Sequence, residues 1–287
     1  MITGELTWQQ FRTLDSMRNL NENQQMEHYY KYLTELNDWI SHQNKGRSLT
    51  AGPDLVAASI LLNTNDQRIF TYNTGANTST QLSVPNSSYI YAGDIAHTQT
   101  KLWTSAGSVI SEWNITLSPF TATFSRLITT PHTIGSGLGA IDDTTLITTD
   151  VSVTPNTVVT LDITNNTATS TNKFNLVANA TNRSVTGDIL LTTTNKVIVT
   201  NNVGASKYVT QFSYPTGTVE VDVEIGGTIN AAYGLYIENS KIYIINSDGK
   251  VYEIGKTSPY TLTLVGNTGV AVNGASQVPS ALTTNFT

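Results

Sequence analysis

Four histidines, His28, His42, His97 and His132, are the side chains best suited to moving protons near neutral pH. None falls in a His-x-x-x-His or His-Glu-x-x-His arrangement that would hold zinc. His28 and His42 lie 14 residues apart on what reads as one helix. At the helical rise they are roughly 21 Å apart and cannot share an ion. His97 stands at the end of an expected inner strand, where a satisfied structural imidazole is the expected reading. Asp142-Asp143 is the one adjacent carboxylate pair, and a loop Ca²⁺ site is conceivable there. Its place ahead of Thr144-Thr145 reads instead as a turn. Ile134-Gly135-Ser136-Gly137-Leu138-Gly139 has the look of a phosphate loop, but no helix follows to supply the dipole. Close backbone packing accounts for its glycines better. With no cysteine, disulfides, thiolate metal sites and cysteine nucleophiles are excluded. No catalytic residue, cofactor or metal is expected.

The aromatic residues offer binding rather than reaction chemistry. Trp103, Trp113, Tyr208, Tyr214, Tyr236, Tyr243 and Tyr260 are candidates for a sugar- or protein-binding face. Trp103 and Tyr243 fall in middle strands and read as core. Tyr214 and Tyr260 flank prolines in loops and are the surface-binding candidates.

These residues sit in a chain of two grammars. The first 50 residues hold 11 of the 36 acidic and basic side chains. There Thr7 and Gln10 form a capping box ahead of a short helix over residues 8–19. Asn21 caps a second helix running to about residue 44 and ending at Gly46. Met26, Tyr29, Leu33, Leu36 and Ile40 are spaced 3, 4, 3 and 4, an a/d seam broadened by Tyr30, Asn37 and Trp39. The seam can pack on its own chain or dock on another. A two-helix hairpin is too small to bury both apolar faces alone, so a partner surface is expected.

Beyond residue 50 the hydrophobic period becomes two, as in Val158-Val159-Thr160-Leu161-Asp162-Ile163 and Val219-Glu220-Val221-Asp222-Val223. A unit recurs with starts at Gly93, Gly137, Gly187, Gly234 and Gly274, at intervals of 44, 50, 47 and 40. Such a period with about four short strands per unit predicts a β-propeller. Asp94 and Asp188 occupy equivalent places after two of these glycines, so a repeated structural hydrogen bond is expected. Residues 58–62, 68–73 and 80–84 match the second, third and fourth strands of a unit whose inner strand is missing. After Gly274 only one strand remains. Residues 274–279 are therefore expected to supply that inner strand and close the ring. Five blades result; six is the alternative if residues 86–92 or 129–135 hide another. The expected fold is all-β with an N-terminal helical segment, 1–50 forming a docking segment and 51–287 the propeller.

Charged residues make up 13% of the chain and the net charge is −6. No basic cluster suits nucleic acid, and no apolar run approaches a membrane span. The first residues lack the basic start and apolar stretch of a secretory signal, so cytoplasmic synthesis is expected. Sequons at Asn77, Asn114, Asn179 and Asn182 follow from the Asn- and Thr-rich composition.

The run Gly-Asp-Ile…Lys-Leu, then Val251-Tyr252-Glu253-Ile254, then Thr261-Leu262-Thr263-Leu264-Val265-Gly266 resembles bacterial and phage β-propeller repeats over about residues 55–287. The Asn/Gln/Tyr-rich front segment, over about 40 residues, is similar to attachment segments of tailed-phage virion proteins. The resemblance implies a non-enzymatic, multi-copy virion component docked through residues 1–50 on capsid, collar or tail. Its partners would be other virion proteins, with neither nucleic acid nor membrane. The alternative is a lectin-like adhesin that binds a host surface glycan or receptor. A hydrolase or lyase would need converging acids and bases, against which the low charge and scarce histidines count.

Overall fold

The computed structural model describes residues 55, 59–84, 87–225, 229 and 231–287. The expected helices and their seam lie outside these residues, and no α-helix occurs among those described. The first strands are β1 (Ile60–Asn63), β2 (Ile69–Asn73), β3 (Thr78–Leu82) and β4 (Asp94–His97). Two long ones follow, β5 (Lys101–Leu117) and β6 (Phe120–Ala140). Then come β7 (Thr145–Asp150), β8 (Thr157–Asp162), β9 (Thr169–Asn175), β10 (Val177–Ala178) and β11 (Thr181–Asn182). The next are β12 (Ser184–Leu191), β13 (Lys196–Val203), β14 (Ser206–Ser213) and β15 (Val219–Glu224). The last are β16 (Ala232–Glu238), β17 (Lys241–Asn246), β18 (Lys250–Ile254), β19 (Leu262–Asn267) and β20 (Gly274–Ser276).

Antiparallel pairing assembles an all-β, propeller-like fold from sheets β20-β1-β2-β3, β4-β5-β6-β7-β8-β9, β12-β13-β14-β15 and β16-β17-β18-β19, with a small β10-β11 ribbon. Four blades are thus defined by hydrogen bonding, where five were expected. The difference lies in β5 and β6, whose pairings join β4 through β9 in one hydrogen-bonded sheet. Within β5 the chain doubles back. The Ile115 amide donates to the Thr100 carbonyl at 2.8 Å, and the Thr104 and Ser111 hydroxyls meet at 2.9 Å. A straight strand would put about 50 Å between Thr100 and Ile115. The reversal falls at Gly107, whose φ is +57°.

β20 pairs with β1, with Leu61 opposite Ser276 and Asn63 opposite Gly274. The C-terminal strand therefore supplies the inner strand of the first sheet, as the complementary defects in the repeats predict. The chain then runs on as a strap. The Gln277 amide bonds both the N–H and the carbonyl of Ile237, at 2.7 and 2.9 Å. Thr193 donates to the Leu282 carbonyl at 2.8 Å. Phe286 is buried against Tyr260, edge to face at 5.8 Å.

Period-two alternation sends successive side chains into different cores. Leu61 packs with Ile95, Trp113 and Phe120. Its neighbours Ile60 and Leu62 pack with Tyr236, Tyr243 and Ile245. Likewise Ile189 joins Ile147, Val197 and Phe212, and Leu190 joins Leu235, Ile244 and Phe286. A further core gathers Trp103, Ile128, Leu138 and Leu161. The blade sheets therefore bury apolar side chains on both faces.

Two devices lock the strands together. The first is glycine. A Cβ on Gly187 would lie 1.6 Å from the Ala232 carbonyl oxygen, and one on Gly93 would lie 2.3 Å from that of Ser105. The second is the Glu112 carboxylate, 2% exposed. It accepts from Lys101 at 2.9 Å, Arg126 at 3.1 Å, Trp103 Nε1 at 3.2 Å and Ser125 at 3.0 Å. Burial pushes Glu112 up, but Arg126 and Lys101 outweigh it and hold the group below the usual carboxylate range.

Gly187→Ala is expected to cost at least about 3 kcal/mol, since backbone must move to admit the methyl. Gly204→Ala, at φ +58° with open space around it, should cost about 1 kcal/mol. Urea denaturation of both variants checks the contrast. Glu112 has a lowered folded-state pKa, so its contribution is complete above its ordinary value of 4.5 and is lost as pH falls through the lower folded value. Glu112→Gln should therefore destabilise the protein at pH 7 by about 3 kcal/mol and flatten this acid limb in a pH series of unfolding free energies.

Candidate functional site

The Gly-Asp-Ile repeats place two fully buried carboxyl groups in inner strands. Asp94 accepts from the Ile95 amide at 2.7 Å and the Leu138 amide at 2.8 Å. Asp188 accepts from Ile189 and from Leu235, both at 2.7 Å. The amides of Gly137 and Ala275 also bond Asp94 and Asp188 respectively. Together the two carboxyls join β4, β6, β12, β16 and β20. The structural hydrogen bond expected from the repeat is present in both copies. Burial pushes both groups well above the usual carboxylate range, and the charge of Asp94 adds to the shift of Asp188.

The described histidines are structural in their contacts. His97 Nδ1 lies 2.8 Å from Ser276 Oγ, and burial drives its pKa down to about 3. His132 Nδ1 lies 2.7 Å from Asp150 Oδ2. Burial raises Asp150, but Ser152 and His132 outweigh it and hold it low. This pair resembles half of a hydrolase triad, but His132 Nε2 is buried and meets no hydrogen-bond partner among the described residues. No signal in the sequence links His132 to Asp150. Asp142 and Asp143 lie in a turn after β6. Asp143 accepts from the Thr98 and Thr100 hydroxyls at 2.5 Å each, and Asp142 accepts from the Thr144 amide at 2.8 Å. No group of three or more metal-binding side chains occurs among the described residues.

The loops after β4, β6 and β20 frame an open pocket of about 540 Å³. Thr98, Thr100, Asp142, Asp143, Pro279 and Ser280 line it. Hydroxyls and carboxylates around an apolar floor can hold a polar, uncharged or hydroxyl-rich molecule.

The proposed binding aromatics are held by packing and hydrogen bonds. Tyr214 is half-buried, its hydroxyl 2.8 Å from Thr160 Oγ1 and 3.1 Å from Asn172 Nδ2. Tyr260 is half-buried against Phe286. They lie in different cores and do not converge. Trp103 and Tyr243 are core, as their middle-strand positions predict. Tyr236 and Tyr243 stack at 4.6 Å. The seam residues Met26, Tyr29, Tyr30, Leu33, Leu36, Trp39 and Ile40 lie outside the described residues. No helix among the described residues is long and apolar enough to cross a membrane.

No protein-family model matches this sequence, and no curated protein matches it. Among solved structures, the chain is similar to a protein of unknown function from Bacteroides caccae, at 10% identity over 78% of this chain and 99% of that one, TM-score 0.45. It is also similar to the β-propeller domain of Cps50 (Swd1) from Myceliophteria thermophila, at 9% identity over 73% and 67%, TM-score 0.42. A functionally unknown protein from Desulfotomaculum acetoxidans aligns at 10% identity over 76% and 68%, TM-score 0.37. At these scores the likenesses carry no argument about activity.

Proposed function

We propose that this protein is a non-enzymatic structural component of a bacteriophage virion, a rigid propeller docked through residues 1–50 on capsid, collar or tail. The observation that carries the reading is the use made of the buried charged groups. Asp94 and Asp188 bond backbone amides of neighbouring strands, and Glu112 is spent on Lys101, Arg126 and Trp103. Groups committed to holding sheets together serve a scaffold, not a reaction. The phage assignment itself rests on the sequence resemblance.

The same reading counts five blades, treating the six-stranded sheet as two that share β6. In its support, β5 doubles back at Gly107, and the apolar side chains form five clusters.

The pocket lined by Thr98, Thr100, Asp142, Asp143 and Ser280 favours a second reading, a glycan-binding adhesin, which is compatible with the first. A glycan array probed with the full chain tests it, and a flat array rejects it for those sugars.

For the docking role, Leu33→Asp combined with Leu36→Asp in the full chain should leave the thermal unfolding of the propeller unchanged. The same variant should be at least about tenfold depleted from purified particles, as expected when charge is forced into an apolar contact. Mass spectrometry of particles assembled with each form measures this, and normal incorporation would overturn the proposal.

A further inference from the structure

Asp94 is crowded at Oδ1, the oxygen that accepts from the Ile95 amide. A methyl group built on Gly274 would lie 1.8 Å from Asp94 Oδ1 and 2.8 Å from Asn63 Oδ1, so the two oxygens are neighbours across that glycine. Both residues are fully buried. Asn63 Oδ1 has no hydrogen-bond partner among the described residues. Its amide nitrogen already donates to the Tyr91 carbonyl at 3.2 Å. Turning the amide over would only move the conflict between acceptors to Tyr91. Two buried acceptors facing each other cost free energy unless a hydrogen stands between them.

We propose that the axis of the ring holds a proton at neutral pH, with Asp94 a neutral carboxylic acid whose O–H donates to Asn63 Oδ1. A hydroxyl can do this and still accept from the Ile95 amide on the same atom. An asparagine nitrogen in that place would meet Ile95 donor to donor, which accounts for aspartic acid here rather than its amide.

Among the described residues the surroundings supply no competing cation. β5 presents Ser105 and β6 presents the amides of Gly137 and Leu138. β1 presents Asn63 and β20 presents Gly274. On β4 itself, His97 is engaged with Ser276 and is held neutral by burial. Lys101 and Arg126 are bound to Glu112, and His132 is bound to Asp150. Asp188 is a second buried carboxyl coupled to Asp94 by like charge, and that repulsion disfavours ionising both groups at once. One proton leaves a single negative charge to be met by backbone amides.

The sign of the linkage follows. A carboxyl with a raised folded-state pKa stabilises the fold fully below its ordinary value of 3.8, and that contribution is lost as pH rises through the higher folded value. This is opposite to Glu112.

Carbon-13 NMR of the full-length protein labelled at aspartate carboxyls tests the proposal, with Asp94 assigned through the Ile95 amide. At pH 7 the Asp94 carboxyl should resonate as the neutral acid and titrate at higher pH. Asn63→Ala, which removes the acceptor, should lower that midpoint by about one unit, a tenfold weaker hold on the proton. If Asn63→Ala does not fold, the wild-type titration alone decides. An ionised Asp94 at pH 7, a neutral Asp188 beside an ionised Asp94, or an unmoved midpoint in a folded Asn63→Ala would each overturn it.

Discussion

The whole ring depends on how closely its inner strands approach. They come near enough that the carbonyl of Ala232 fills the place of a side chain at Gly187, and Asp94 fills the place of one at Gly274. At that distance strand edges must satisfy one another's amides without a regular ladder. Asp94 and Asp188 do this from within, each bridging a gap that no strand pairing covers. The combination of a side chain too small to collide and a carboxyl long enough to reach the next strand explains why glycine and aspartate recur together. Remove either and the inner strands must separate or leave amides bare.

Around that axis, stability comes from burying both faces of each sheet. The outer surface then needs little charge, because neutral threonine and asparagine satisfy turns and outer strands. The ion pairs that do exist are placed unequally. Those of Lys241 with Glu253 and Lys250 with Asp248 are solvent-exposed and contribute little. Glu112 sits inside, where three donors besides Lys101 share it. Arg183 is likewise buried, paired with Asp222 and stacked on Tyr208 at 3.9 Å.

Much of this was legible because repetition writes it twice. Gly93-Asp94-Ile95 and Gly187-Asp188-Ile189 announce an inner-strand role that either copy alone would leave obscure. The missing inner strand before Ile60 and the surplus strand at Gly274 likewise point to each other. Blade number was less legible, since Gly137 marks a unit start but nothing local shows that β6 runs on through it as one strand. The partners of Asn63 and Gln277 were hidden for a different reason. Each contact joins residues remote in sequence, and only the closed ring sets their distance. Tyr214 and Tyr260 read as surface because prolines adjoin them, yet a loop beside a neighbouring sheet can tuck its aromatic inward.

The pairing of β20 with β1 has a kinetic side. Its two partners are separated by nearly the whole propeller sequence, so a large loop must close before that contact forms. Topologies of this kind acquire their native form slowly. Until Ala275 arrives, Leu61 and Leu62 lie on a bare apolar border open to any passing strand. The last link of the ring is therefore also its guard against mispairing with other molecules during biogenesis.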